Sequence, residues 1–327
     1  MKNINLPTTL VIFGATGDLT RRKLLPALYN LDQQSMLPEQ IRIIAFARKE
    51  LDQKQYKQYI ESHVADLYPN LIEDTTWNKF FEKIDYISGD FADDKSYQIL
   101  SKKLDEVDMH IGVCTHKLFY LAVSPDLYEN VLQGIVHTEL NAFCKNINDT
   151  RVILEKPFGK DYASFEKLNK QITDIFDEKQ IYRIDHFLGK ETVQNLLYFR
   201  AANPIFSNDW NKHKISKVYV RAYESIGIEK RADYYDKYGQ LRDMVQSHLL
   251  QLLALVLMDM PSSLDDMEGI NQRKAEVLEK LTISDKSKIV RGQYMEGVVD
   301  AIAVGGYREE DGIDLSSNTE TFVKVSA

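Results

Sequence analysis

Cysteine is scarce in this sequence: Cys114 and Cys144 are the only two in 327 residues. Two thiols make no disulfide framework and suit a reducing compartment. A cationic excess is lacking as well. Forty-one Lys and Arg stand against 49 Asp and Glu, a formal net charge of −8. Phosphate backbones reward the opposite sign, so nucleic acid is not an expected partner. An anionic ligand would need a local cluster of cations working against the overall field. No run reaches the roughly 18–20 apolar residues that span a bilayer. Met1 to Pro7 lacks the basic-then-apolar order of a signal peptide. No membrane association is expected, and the cytoplasm is the expected location. Internal repeats and low-complexity runs are absent too.

What is present is ordinary soluble protein, 44% hydrophobic and 28% charged, long enough for two domains with cores of their own. The first half alternates short apolar runs with amphipathic stretches, the pattern of a parallel sheet covered by helices. Strands are expected at 9–13, 42–46, 84–88, 117–123, 151–155 and 181–184, and helices at 18–34, 52–67, 96–107, 125–146 and 161–179. Ser124-Pro125 reads as an N-cap followed by proline at the first helical position. Pro26 is expected to kink the first helix. After Asp185 the rhythm changes to helices at 191–199, 239–258 and 271–281, a strand at 217–224, and short strand-like pieces from 288 that end at 319–325. The expected fold class is α/β: a Rossmann-type doubly wound parallel sheet over 1–182, then an α+β domain with an antiparallel sheet over 183–327.

Gly14, Ala15, Thr16, Gly17, Asp18 and Leu19 join the first strand to the first helix. Gly14 permits a tight turn, and Gly17 lets backbone approach a pyrophosphate at a helix N-terminus. The spacing is G-x-x-G rather than G-x-G-x-x-G, so the dinucleotide reading leans on the strand–helix context, with a structural turn as the alternative. After the second strand stands Arg48, where an NAD enzyme usually offers a carboxylate to the ribose. A guanidinium there pairs with a 2′-phosphate and favours NADP over NAD. Lys23 could add charge, and solvated surface is the competing reading for both. Lys156, in Glu155-Lys156-Pro157-Phe158-Gly159, closes the fifth strand where open α/β sheets bind ligands. It could donate to a substrate hydroxyl or the nicotinamide, or be an exposed lysine on a plain turn. A cis bond before Pro157 would suit a tight functional turn.

Asp185, His186 and Lys190 follow the sixth strand. His186 and Lys190, four apart, make a modest anion site of the kind that holds a phosphorylated, hydroxylated small molecule. Asp185 has the wrong sign for phosphate and is better suited to orient a histidine. The candidate is His248, on a helix expected to bury Met244, Leu252, Leu255 and Val256. A satisfied core histidine is the other reading, and the segment alone leaves both open. Asp243 lies five residues earlier, roughly 140° around an α-helix, so it is not expected to pair with His248. Both could border one cleft. Glu224 closes an expected strand and could accept sugar hydroxyls.

The pieces GATGDLTRRKL at 14–24, FAR at 46–48, FYLAVSP at 119–125, EKPFG at 155–159, RIDHFLGKE at 183–191 and YYDKYGQLRDMVQSHLLQ at 234–251 resemble glucose-6-phosphate dehydrogenases across essentially the whole chain. The resemblance implies oxidation of glucose 6-phosphate at C1 to 6-phosphoglucono-lactone with NADP and without a metal, the first oxidative step of the pentose phosphate pathway. It implies His248 as the general base and Asp185 as the carboxylate that orients it. It also implies His186 and Lys190 as phosphate ligands, Lys156, Glu224 and Asp243 as sugar contacts, and Arg48 and Tyr120 as cofactor contacts beside the 14–19 loop. A homodimer or homotetramer goes with it. Phe187 departs from the family's usual tyrosine, and Ser247 from its usual asparagine. Family members also continue well past the position of Ala327, so the resemblance implies an antiparallel sheet that is incomplete over this length. The alternatives are a sugar dehydrogenase of the glucose–fructose oxidoreductase kind, and a chain that binds NADP without turnover.

Overall fold

Successive side chains of a strand point to opposite faces. In Thr8–Phe13, Val11 and Phe13 enter one apolar cluster while Leu10 and Ile12 enter another, so both faces are covered and the run is apolar throughout. The computed structural model describes residues 5–65, 68, 75–142, 150–159, 161–228, 231–283 and 285–327. The chain divides into two units, Met1–Ile184 and Asp185–Ala327, a boundary two residues beyond the one expected at 182.

In the first unit, β1 (Thr8–Phe13), β2 (Ile41–Ala47), β3 (Ile84–Ser88), β4 (His116–Leu121), β5 (Thr150–Leu154) and β6 (Ile181–Arg183) form one parallel sheet in the order β3-β2-β1-β4-β5-β6. The order reverses between β1 and β4, which opens a crevice at the carboxyl ends of those strands. One face is covered by α1 (Leu25–Gln33), α2 (Gln53–Ala65) and α3 (Thr75–Phe81) through Tyr29, Tyr56, Trp77 and Phe80. The other is covered by α4 (Asp94–Ile111) and α5 (Tyr128–His137), with Tyr97, Leu100 and Leu132 buried, and by Ile172 of α6 (Tyr162–Thr173).

The helical expectations need amendment in three places. Thr75–Phe81 is a helix that the sequence reading missed. The 125–146 stretch breaks into a 3₁₀ turn at Pro125–Leu127, α5 and a second 3₁₀ turn at Leu140–Ala142, and Ser124 makes no side-chain cap. The end of that stretch and residues 66–67 of the second expected helix lie outside the described residues. Pro26 does not simply kink its helix. It has no N–H for the Arg22 carbonyl, and the turn before it widens to a π-helix, Thr20–Leu24, in which the Leu25 amide donates five residues back to Thr20. Cys114 is disulfide-bonded rather than a free thiol, and Cys144 lies outside the described residues.

The second unit contains α7 (Glu191–Ala202), α8 (Pro204–Asp209), α9 (Ala232–Gln240), α10 (Leu250–Leu257) and α11 (Met267–Lys280). The antiparallel part consists of two small ladders, β7 (Val290–Gly292) with β10 (Phe322–Lys324) and β8 (Gly297–Val299) with β9 (Ile302–Val304). Leu255, Met258 and Ile270 pack with Leu188, Val193, Leu197 and Val277. Arg200 donates to the carbonyls of Leu255 and Met258 at 2.7 Å each, and Trp210 to that of Val256 at 2.7 Å. These bonds satisfy the open carbonyl end of α10.

Two expectations fail here. The stretch 217–224 joins no ladder among the described residues, because alternation makes a strand only where a partner supplies hydrogen bonds. The 239–258 helix is not continuous. Gly239 breaks it with φ 69° and ψ 169°, Leu241–Leu249 is π-helical, and α10 follows. Met244 and Leu255 are buried as expected, but Leu252 and Val256 are only half-buried. Among the described residues no helix is long and apolar enough to cross a membrane.

Candidate active site

In the first unit the crevice is built on the turn after β1. Gly14 has φ +89°, which a side chain resists, and a β-carbon there would stand 2.3 Å from the Ala122 carbonyl oxygen. The amides of Gly14 and Ala15 donate to the Phe46 carbonyl at 2.9 and 3.1 Å. The Gly14 carbonyl accepts from the Gly17 amide at 2.8 Å and the Thr20 hydroxyl at 3.1 Å. From α2, Tyr56 donates to the Ala15 carbonyl and Tyr59 to the Thr16 carbonyl, both at 3.1 Å. The loop is thus fixed from the sheet side and from α2 before any ligand arrives. Asp18 and Leu19 open the helix that follows, and Asp18 faces Arg21 at 3.3 Å and Arg22 at 3.5 Å.

Arg48 follows β2 and is exposed, with its guanidinium 5.7 Å from the Phe91 ring centre. Sequence reasoning passed over a second cationic group beside it. Lys49 Nζ stands 3.9 Å from the Tyr59 ring centre and the Arg21 guanidinium 5.5 Å from it. The available signal was the spacing of Tyr56 and Tyr59, three apart on one face of α2. Lys23 is exposed on the π-helical turn.

Tyr120 is buried in β4, and its hydroxyl donates a short hydrogen bond to the Glu155 carboxylate. Burial, then that bond and the carboxylate's charge, push its pKa well above the phenol range. This commits the Tyr120 hydroxyl to the end of β5. Lys156 is half-buried next to Glu155, and the Lys156-Pro157 bond is cis.

In the second unit the 185–190 turn presents three of the expected residues. The Leu188 amide donates to the Asp185 carbonyl at 3.0 Å and the Lys190 amide to the Phe187 carbonyl at 3.2 Å. Asp185 Oδ1 accepts from the Phe187 amide at 2.9 Å and from His248 Nδ1 at 2.5 Å. His248 is 1% exposed, stacked on Phe187 with ring centres 4.2 Å apart at 15°, and edge-on to His186 at 4.5 Å. Ligand atoms of Asp185, His186 and His248 all lie within 4.8 Å of one another. Lys190 Nζ sits 3.6 Å from the Phe187 ring centre, so the ring that replaces the usual tyrosine carries the ammonium on its π-face.

Burial of Asp185 opposes its ionisation, but the His248 and Phe187 bonds and the charge of both imidazoles outweigh it. The carboxyl is held below its usual range. With Nδ1–H given to Asp185, His248 keeps Nε2 as a proton acceptor.

Asp243 and His248 need a correction. The 140° separation belongs to an α-helix. In the π-helix Leu241–Leu249 the hydrogen bonds run five residues apart, which brings residues 243 and 248 close to one side. Ser247 donates to the Asp243 carbonyl at 2.6 Å, a back-bond of the kind that distorts an α-helix. The Asp243 carboxylate receives the Tyr234 hydroxyl at 3.4 Å. Glu224 is exposed, and among the described residues no hydrogen bond or ion pair joins it to the dyad.

Comparison with known proteins fits this geometry. Residues 11–195 match the family described as glucose-6-phosphate dehydrogenase, NAD binding domain, and residues 197–327 match its C-terminal domain. The chain is 40% identical over 324 residues to the glucose-6-phosphate 1-dehydrogenase of Chlamydia pneumoniae, covering 98% of this chain and 63% of that protein. It is 36% identical over 318 residues to that of Bacillus subtilis, covering 96% and 63%. A solved glucose-6-phosphate dehydrogenase in complex with its substrate glucose-6-phosphate superposes with a TM-score of 0.87 at 32% identity, covering 99% of this chain and 66% of that one. A glucose-6-phosphate 1-dehydrogenase from Mycobacterium avium superposes at 0.84 with 34% identity, covering 98% and 65%. The chain thus spans 63% of the length of these curated relatives. With both family domains matched in order over nearly every residue, the chain belongs to the glucose-6-phosphate dehydrogenase family.

Proposed function

We propose that this chain oxidises glucose 6-phosphate at C1, with NADP as hydride acceptor, to 6-phosphoglucono-lactone, the first oxidative step of the pentose phosphate pathway in the cytoplasm. The observation that carries the reading is the buried His248, held through Nδ1 by Asp185 at 2.5 Å. His248 Nε2 takes the C1 hydroxyl proton, and the electron pair left on oxygen closes the C1 carbonyl as hydride leaves. Asp185 keeps the ring in the tautomer that can accept and stabilises the imidazolium that forms. His186 and Lys190 hold the phosphate, while Lys156, Asp243 and Glu224 take sugar hydroxyls.

The cofactor residues fit a dinucleotide with a 2′-phosphate. The glycine-built turn admits close backbone approach at a helix N-terminus. Arg48, with Arg21 and Lys49 around Tyr59, gathers positive charge locally in a protein whose net charge is negative. Tyr120 acts from beneath through Glu155. The bound nicotinamide supplies the acceptor for the hydride.

Turnover by the purified chain, followed as NADPH absorbance with glucose 6-phosphate and with free glucose, tests the reading. His248→Asn should lower turnover by about 10²–10⁴-fold, the span of general base catalysis, and leave NADP binding intact. Near-normal turnover in that variant defeats the mechanism. Preference for free glucose would move the chain to the glucose–fructose oxidoreductase kind of chemistry. Binding of NADP without any turnover by the unaltered chain would rule out the catalytic reading.

A further inference from the structure

Gly239 ends α9 with φ 69° and ψ 169°, and a new helical run begins at Leu241. The first amides of such a run have no carbonyl of their own helix to reach. Here the acceptors come from 79 residues further along the chain. The Gln240 amide donates to the Glu320 carbonyl at 3.0 Å, and the Leu241 amide to Glu320 Oε1 at 3.1 Å. The Glu320 side chain is only 11% exposed, and its charge has the sign that a helix N-terminus favours. A β-carbon at Gly239 would stand 2.7 Å from the same oxygen, so the glycine leaves the room that the carboxylate occupies.

The segment that delivers this carboxylate is itself held in place. Tyr307 donates to Asp236 Oδ1 at 2.8 Å, Ser317 to the same oxygen, and Thr319 to the Asp236 carbonyl at 2.6 Å. Tyr235 reaches the Glu320 carbonyl at 3.4 Å. Residues 317–320 are thus strapped along α9, and the strap sets Glu320 against the start of the π-helix that carries Asp243 and His248.

We propose that Glu320 is a positioning residue: by holding the first amide of the run it fixes where the π-helix begins, and with it the place from which His248 reaches Asp185. A loop that merely packed on α9 would account for the bonds of Ser317 and Thr319. It would not account for a mostly buried carboxylate on the amide that starts the run bearing the dyad's imidazole. The proposal rests on the reading of His248 as the base.

Glu320→Met keeps the length of the side chain and removes the acceptor, whereas Glu320→Gln keeps an oxygen for the Leu241 amide. The methionine variant should lower kcat about tenfold, the scale of one lost helix cap, with NADP binding unchanged. The glutamine variant should recover most of the loss. In an Asp185→Asn background Glu320→Met should cost little more, because His248 then has no carboxylate to be placed against. A second readout needs no turnover. The Nδ1 proton of His248 should give a downfield proton resonance, identified by its loss in His248→Asn, that shifts or broadens in Glu320→Met and returns in Glu320→Gln. Should Glu320→Met fail to fold by circular dichroism, Glu320→Asp withdraws the oxygen by one methylene, keeps the charge and carries the same comparison.

A variant that only melts earlier, with kcat and the resonance unchanged, marks Glu320 as a plain cap and overturns the proposal. So does an equal kcat penalty with and without the Asp185 carboxylate, or a resonance missing from the unaltered chain. No turnover by the unaltered chain, with a resonance that still answers to Glu320, defeats the dehydrogenase reading and leaves the positioning role standing.

Discussion

Phe187 shows how a single side chain changes the character of the site. A tyrosine there would bring a hydroxyl; the phenyl ring instead presents π-faces to His248 and to the Lys190 ammonium. The Lys190 ammonium rests on the ring quadrupole. Arg48 is the residue on which the proposed preference for NADP rests. Arg48→Glu should weaken NADP by about 1.5–3 kcal/mol, roughly ten- to a hundredfold, and NAD far less. Titration of tryptophan or NADPH fluorescence with each cofactor measures this, and equal losses would remove Arg48 as the discriminator. Arg21 and Lys49 remain beside Tyr59 in that variant, which sets a floor to the loss. The pair Asp185 and His248 was half legible in the sequence. An aspartate in a cationic segment reads as a partner for a histidine, but nothing local tells a core histidine from a base. The distinction lies in a contact between positions 63 residues apart.

At the scale of elements, the turn after β1 is the most exposed to a small change. Gly14→Ala must place a methyl group 2.3 Å from the Ala122 oxygen and hold φ near +89°. Strained backbone of this kind costs on the order of 1–3 kcal/mol, and relief of the clash moves the loop amides. The variant should melt earlier and lose the rise in Tm that NADP is expected to give the unaltered chain. An unchanged NADP-dependent rise, measured by differential scanning fluorimetry, would show that the loop is not the dinucleotide site. All six parallel strands were legible to within two residues, because apolar runs covered on both faces have few other uses. The π-helical turns were not. Sequence periodicity assumes 3.6 residues per turn, and neither Pro26 nor Ser247 announces by itself that the repeat will widen. The stretch 217–224 failed for the opposite reason: its alternation is a local signal, while a ladder depends on a second strand.

For the molecule as a whole, charge and apolar surface are distributed unevenly. The overall charge is −8, yet the second unit exposes Tyr223, Val298, Ile302 and Leu315, each about two-thirds or more accessible. Its ladders have three residues per strand, short enough to leave most backbone groups to solvent or to another chain. The purified chain should therefore associate as its concentration rises and bind an apolar dye. Val298→Lys with Ile302→Lys should reduce both. Sedimentation velocity over a concentration series decides it, and a single monomeric species throughout would count against this reading of the surface. The change of rhythm near Asp185, where regular strand–helix alternation gives way to helices followed by short strands, falls at the boundary between the two units.

The π-helix Leu241–Leu249 gives this stretch of the site one residue more than an α-helix of the same turns would hold. One residue fewer between Leu241 and Ser247 would let the run close as an α-helix, with every side chain of the set still present. Five residues of a π-helix and four of an α-helix both bring a side chain back to nearly the same side, so His248 would keep roughly its present facing. A three-nucleotide deletion in its coding sequence should therefore shorten the run without turning the imidazole away, whereas the same deletion in an α-helical stretch would turn everything beyond it by about 100°.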